Sequence, residues 1–255
     1  MISIDRILGK LDEYLHANDY ASAERHLSYW LSEARAEGDG RAEMLVQNER
    51  MGIYRKLGRK DEALSVVREA LARIDELDIS HQVGAATTYL NAATVYCAFG
   101  LASEGISLFT RARAIYEAEL PENDRRLGGL YNNMGLTLVE LCRFDEAKEL
   151  YGKALSLMLS VERGEAEAAI TLLNLASAAE RELGLLDADE QISAYLDRAE
   201  ELLESVEVRD GAYAFALEKC ATVFGYYGRF FYENELKERA REIYETNRTN
   251  RTKRS

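Results

Sequence analysis

AATTYLNAATVYCAFGLASEGISLFTRARAIYEA (85–118) decides the fold. Tyr89, Ala92, Ala93 and Tyr96 recur at helical spacing, so they share one face of a helix over 85–99. Gly100 breaks the pattern. Ile106, Phe109, Ala112 and Ile115 then resume it over 101–118. The segment reads as helix, tight turn, helix.

Outward from this hairpin the chain repeats itself. Small residues, with one methionine, stand at Met51, Ala93, Gly135, Ala176 and Ala221, at spacings of 42, 42, 41 and 45. Tyr54, Tyr96, Leu138, Ala179 and Phe224 follow three positions later, and Ala70, Ala112, Ala154, Ala199 and Ala240 close each unit. A fixed period of this size marks a stack of supersecondary units, which presents a surface for holding another chain. Gly58 separates a helix through Tyr54 from one over 61–71, and Cys142-Arg143-Phe144 is the turn between helices over 130–141 and 145–158. Asp61 and Asp145 open their second helices, where capping and the dipole favour negative charge. Small residues let two helices cross closely, and Ala93 with Gly105 and Gly135 with Ala147 are the expected crossings. Tyr96, Phe109, Phe144 and Tyr151 then fill the space toward the next pair.

Composition narrows the class. The net charge of −13 argues against nucleic acid, whose phosphates need a Lys/Arg surface. MISIDRILGKLDEYL at the N-terminus lacks the apolar stretch of a signal peptide, and no run in the chain is long enough to span a membrane. Cys97, Cys142 and Cys220 lie in three different repeats without CxxC spacing, as reduced thiols of a cytoplasmic protein do. His16, His26 and His81 show no metal-ligand spacing. No phosphate loop, GxSxG or Cys/His pair is present, so neither catalysis, cofactor nor metal is expected. The acids at 162–167 and 200–204 read as solvated faces.

RFDEAKELYGKALSLM (143–158) and KDEALSVVREALARI (60–74) resemble the second half of a tetratricopeptide repeat, and LNAATVYCAFG (90–100) and NNMGLTLVELC (132–142) resemble its first half. The period of about 42, with Tyr131-Asn132-Asn133-Met134-Gly135 and Leu172-Leu173-Asn174-Leu175-Ala176, is similar to kinesin light chain-like repeats. The resemblance implies an all-α, right-handed α-solenoid (superhelix) of about six helix-turn-helix repeats. Their expected bounds are 4–37, 41–78, 82–119, 123–160, 165–205 and 209–245, in one elongated domain over 1–245 with a disordered basic tail over 246–255. The terminal repeats depart from the pattern, with Trp30 and Glu233 where alanine is expected, as caps do. The fifth carries about four extra residues in its turn (183–191), although Ala188 also allows a register without insertion.

The functional clue is an asparagine ladder. Asn91, Asn133 and Asn174 hold one register in three consecutive repeats, in a chain with only ten asparagines. Mid-helix asparagine costs roughly half a kcal/mol against alanine, so its recurrence wants a reason. In tetratricopeptide repeats the first helices line the concave groove, and the resemblance implies that these amides grip the main chain of an extended peptide. The alternative is that each asparagine bonds the neighbouring repeat and stiffens the stack. Residues three and seven later share the ladder's face, so Thr94, Ser177 and Arg181 join the candidate site, and Lys219, Thr222 and Tyr226 continue it in the sixth repeat. Asn48, Glu49, Arg55 and Lys56 lie at its second-repeat end. One position before the ladder stand Asn48, Leu90, Asn132 and Leu173, without the lysines of a chaperone carboxylate clamp; Asn132 is counted with the site. The reading is a protein-protein interaction module that takes a protein or peptide, with neither nucleic acid nor membrane as partner. Two alternatives stand beside it: a peptide-sensing regulatory receptor, and a structural subunit of a larger assembly.

Overall fold

The computed structural model describes residues 2–252, which form twelve helices in six hairpins. The helices divide between two units, Met1–Pro121 and Glu122–Ser255. The first holds α1 (Ile4–His16), α2 (Tyr20–Glu37), α3 (Gly40–Lys56), α4 (Lys60–Glu76), α5 (Val83–Ala98) and α6 (Ala102–Glu119). The second holds α7 (Arg125–Glu140), α8 (Phe144–Ser160), α9 (Glu165–Leu183), α10 (Asp189–Ser205), α11 (Gly211–Tyr226) and α12 (Phe230–Thr252). The sequence reading, one domain over 1–245, spans both units. The division falls at Pro121, the chain's one proline, which pushes the residue before it out of helical geometry. Leu120 accordingly lies at φ −100°, ψ 149°.

The hairpin turns share one device. Gly58, Gly100 and Gly228 take positive φ between their helices, and Asn18 (φ 53°) and Cys142 (φ 57°) occupy the same place without being glycine. The fifth hairpin differs. α9 runs two residues past the register of its counterparts, and residues 184–188 form its turn where 141–143 serve the preceding hairpin. The extra residues are therefore split between helix and turn, and Ala188 is fully buried beneath them.

Within each unit the first helices pack on one another, α3 on α5, α7 on α9 and α9 on α11. Second helices reach each other through long charged side chains, as in Arg35–Glu69 and Arg239–Glu204. The repeating alanines are the reason the hairpins close: Ala70, Ala112, Ala154 and Ala199 are fully buried at helix contacts. A Cβ on Gly105 would lie 3.1 Å from the Ala93 carbonyl oxygen, the expected partner, but closer still, at 2.5 Å, to the sulfur of Cys97 one turn on. At Gly135 the expected partner is Ala147, but the ring of Tyr151 covers the glycine instead, its Cε1 2.5 Å from where a Cβ would stand. Tyr151 lies one turn further along α8 and its ring spans that turn. In the last hairpin the sizes invert: Glu233, standing where alanine is expected, folds its carboxylate over Gly225.

Two further expectations change. Asp61 and Asp145 do not cap; the cap positions are Arg59 and Arg143, which make no side-chain cap bond. Both arginines instead turn back to the acid three residues on, Arg59 to Glu62 at 2.8 Å and Arg143 to Glu146 at 2.7 Å. Asp61 and Asp145 retain only their place in the positive first turn. The expected disordered tail begins at 246, yet α12 continues to Thr252. No glycine or proline follows Gly228, so nothing in the sequence ends the backbone ladder there. Residues 253–255 lie outside those described.

A buried charge ties the first unit together. Glu43, only 1% exposed, accepts from Arg35 at 2.9 Å and from Arg73 at 3.0 Å, joining α2, α3 and α4. Each of its two oxygens thus has a guanidinium donor, which a buried carboxyl needs.

Candidate functional site

The ladder asparagines fall on successive first helices, but they are not alike. In the second unit Asn132 is a hub. Its amide nitrogen donates to Thr171 Oγ1 at 2.8 Å, and its Oδ1 accepts from Asn174 Nδ2 at 3.2 Å. Thr171 donates in turn to the Glu167 carbonyl at 2.9 Å, so the set is closed. Asn174 thus spends one of its two donors inside the stack between α7 and α9.

The first unit repeats this set in the same register, and there it is open. Asn48 Nδ2 donates to Thr88 Oγ1 at 3.2 Å, matching Asn132 on Thr171. Asn91, the counterpart of Asn174, makes no side-chain hydrogen bond among the described residues, and the buried Oδ1 of Asn48 has no partner. Asn133 in the second unit likewise has no side-chain bond among the described residues; only its carbonyl is used, by Thr137 at 3.0 Å. Asn91 and Asn133 are half-buried, with their amides available. Thr88 and Thr171 were not singled out from the sequence. Their signal is the recurrence of Thr-x-x-Asn at Thr88–Asn91 and Thr171–Asn174, each a helical turn apart.

Within each unit the residues around the amides are small and polar. The hydroxyls of Thr94 and Ser177 donate to the carbonyls of Leu90 and Leu173, at 2.9 and 3.2 Å, and Thr222 donates to Lys219 at 3.1 Å. Back-bonding of this kind uses each proton and leaves oxygen lone pairs to accept. Leu136 stands in the same register, 44% exposed, as one apolar contact on a polar floor. Arg181 is exposed and makes no ion pair among the described residues. The Lys219 ammonium lies over the Phe215 ring at 4.7 Å. Tyr226 donates to Glu180 at 2.7 Å, and Tyr227 to the other oxygen of the same carboxylate at 2.7 Å. That bond to an anion raises the Tyr226 phenol above its usual value, and for Tyr227 burial does most of it. Glu49 is also pushed up, by burial first and by the charge of Asp12 second.

Among the described residues no group of three or more His, Cys, Asp and Glu is placed to hold a metal ion, and no helix is long and apolar enough to cross a membrane. Among the described residues Cys97, Cys142 and Cys220 form no disulfide. Burial lifts Cys220 to about 12.

Stacked helix hairpins whose first helices pack together, closed on small residues, define a tetratricopeptide-like α-solenoid. Solved structures share that fold. BtubC (BKLC) from P. vanneervenii superposes with a TM-score of 0.59 at 20% identity, over 89% of this chain and 90% of its own. The TPR-like repeats of a Podosopora anserina kinesin light chain give 0.54 at 16% identity, over 79% and 94%. NprR in complex with its cognate peptide NprX gives 0.59 at 16%, over 94% and 67%. No family model matches the sequence, and neither does any curated protein.

Proposed function

We propose that the chain is a protein-interaction module whose first helices hold a peptide or an extended segment of a partner protein. One observation carries the reading: the side-chain amides of Asn91 and Asn133 are unbonded at a register where asparagine is otherwise a costly choice. Each amide offers two donors and an acceptor, which suits the alternating N–H and C=O of an extended backbone. Thr94 and Ser177 add acceptors beside them. NprR, which shares the fold, was solved with a peptide bound. Asn174 and Asn132 bond repeat to repeat, so the proposal leaves the ligand role to Asn91 and Asn133. A cytoplasmic setting is part of the same proposal, supported by the spacing of Cys97, Cys142 and Cys220 over three repeats without a CxxC pair.

Affinity purification from the native cell, followed by mass spectrometry, tests the proposal. Wild type should retain a partner that the Asn91→Ala/Asn133→Ala variant loses, while that variant melts as wild type does. Equal recovery of every partner by the two proteins would refute it.

A further inference from the structure

The residues added to the fifth hairpin are leucines left in water. Leu183, Leu185 and Leu186 are 48%, 52% and 90% exposed, around the lengthened end of α9 and its turn. The next hairpin carries aromatic rings at its own turn: Tyr226, Phe230 and Phe231 are 69%, 63% and 96% exposed. The two ends are neighbours. Glu180, one helical turn before Leu183, accepts from both Tyr226 and Tyr227 at 2.7 Å, and the two tyrosine rings meet edge to face with centroids 4.9 Å apart. Arg229, just before Phe230, bonds Asp197 and Glu200 of α10. Six large apolar side chains thus stand exposed at the turn ends of two adjacent hairpins. Exposed apolar groups that cluster mark an interaction site, whereas scattered ones are ordinary.

The charge beside them says what fits. Asp187, Asp189 and Glu190 in and after the added turn are exposed and form no ion pair among the described residues. Arg181 is the nearby exposed cation, and Arg229 is already paired. An apolar strip edged by unpaired carboxylates complements a helix with apolar residues on one face and lysine or arginine flanking them. A second copy of this chain would bring carboxylates against carboxylates. We propose that this end of the second unit is a docking surface for a basic amphipathic helix of another protein, separate from the asparagine site.

The test uses the full chain and two synthetic helical peptides. Both carry leucines at i, i+3, i+4 and i+7; one has lysines elsewhere, the other glutamates. Fluorescence anisotropy should show the lysine peptide binding and the glutamate peptide not. Affinity for the lysine peptide should fall at least about tenfold in Leu186→Ser/Phe231→Ser and again in Asp187→Asn/Asp189→Asn/Glu190→Gln, and should be kept in Asn133→Ala. All these side chains are exposed, so unchanged melts should confirm folding. Lysine-peptide affinity indifferent to both sets would overturn the proposal. So would a dimer in sedimentation, or flotation with phosphatidylcholine vesicles, abolished by Leu186→Ser/Phe231→Ser, since a second copy or a membrane would then be the occupant.

Discussion

Gly135→Ala should destabilise the protein, although alanine is the better helix former. A Cβ there would stand 2.5, 2.7 and 2.9 Å from three ring atoms of Tyr151. Carbon atoms rest about 3.5–4.0 Å apart, so the ring must retreat by about 1 Å. It has little room: Tyr151 is fully buried. Overpacking of this kind costs about 1–3 kcal/mol, against roughly 1 kcal/mol gained by replacing a helical glycine. The net is a loss of about 1 kcal/mol, or about 2–4 °C in Tm. Gly129 and Gly152 lie in the same hairpin with open space where a Cβ would go, so Gly129→Ala and Gly152→Ala keep the gain and lose nothing. Thermal melts followed by circular dichroism should rank Gly152→Ala above wild type and Gly135→Ala below it. The double variant Gly135→Ala/Tyr151→Leu should recover part of the loss, because the ring is gone. If Gly135→Ala melts with Gly129→Ala, the ring does not bear on the glycine and the reasoning fails.

Three other outcomes follow from the same geometry. Cys142→Gly should add about 1 kcal/mol in urea denaturation, because Cys142 holds the left-handed φ that glycine takes in the sister turns; an unchanged midpoint would remove the strain argument. Glu43→Gln should cost about 2–3 kcal/mol, less than a fully buried pair, since Arg35 and Arg73 are 48% and 30% exposed on their side chains; a loss within error would show the carboxylate is dispensable. Burial raises Glu49, so folding favours its protonated form, and that contribution is lost as pH rises through the raised value. Glu49→Gln should therefore melt above wild type at neutral pH, with the advantage gone by about pH 4; an advantage that persists in acid would contradict it.

The fold was legible because its signal is redundant. The period, the glycines at 58 and 100 and the buried alanines each point to helix hairpins, and any one of them could have been missing. Details that depend on side-chain reach were not legible. Periodicity assigns Gly135 and Ala147 to facing sides, but which residue covers the glycine depends on the length of Tyr151, one turn on. Asp61 and Asp145 looked like caps because acids favour helix starts; the caps fell two residues earlier, on arginines. The ladder shows the limit most sharply. Asn91, Asn133 and Asn174 are equivalent in register, yet Asn174 is bonded only because asparagine also stands at Asn132, one position earlier in the preceding repeat. Asn91 has the same neighbour in Asn48 and is not so bonded. Residue identity cannot distinguish those two cases, because both pairs are asparagine with asparagine.

The central claim is that the ladder divides its labour, with Asn133 serving a ligand and Asn174 the stack. It is tested by calorimetric affinity for a captured partner segment and by melting temperature, both measured on Asn133→Ala and on Asn174→Ala. Asn133→Ala should weaken binding by about two- to tenfold, from a bond of about 0.5–1.5 kcal/mol, with Tm unchanged. Asn174→Ala should lower Tm, because it opens the bond to Asn132 and leaves that oxygen without its donor. Asn133→Ala binding as wild type, or losing stability instead, would contradict the account.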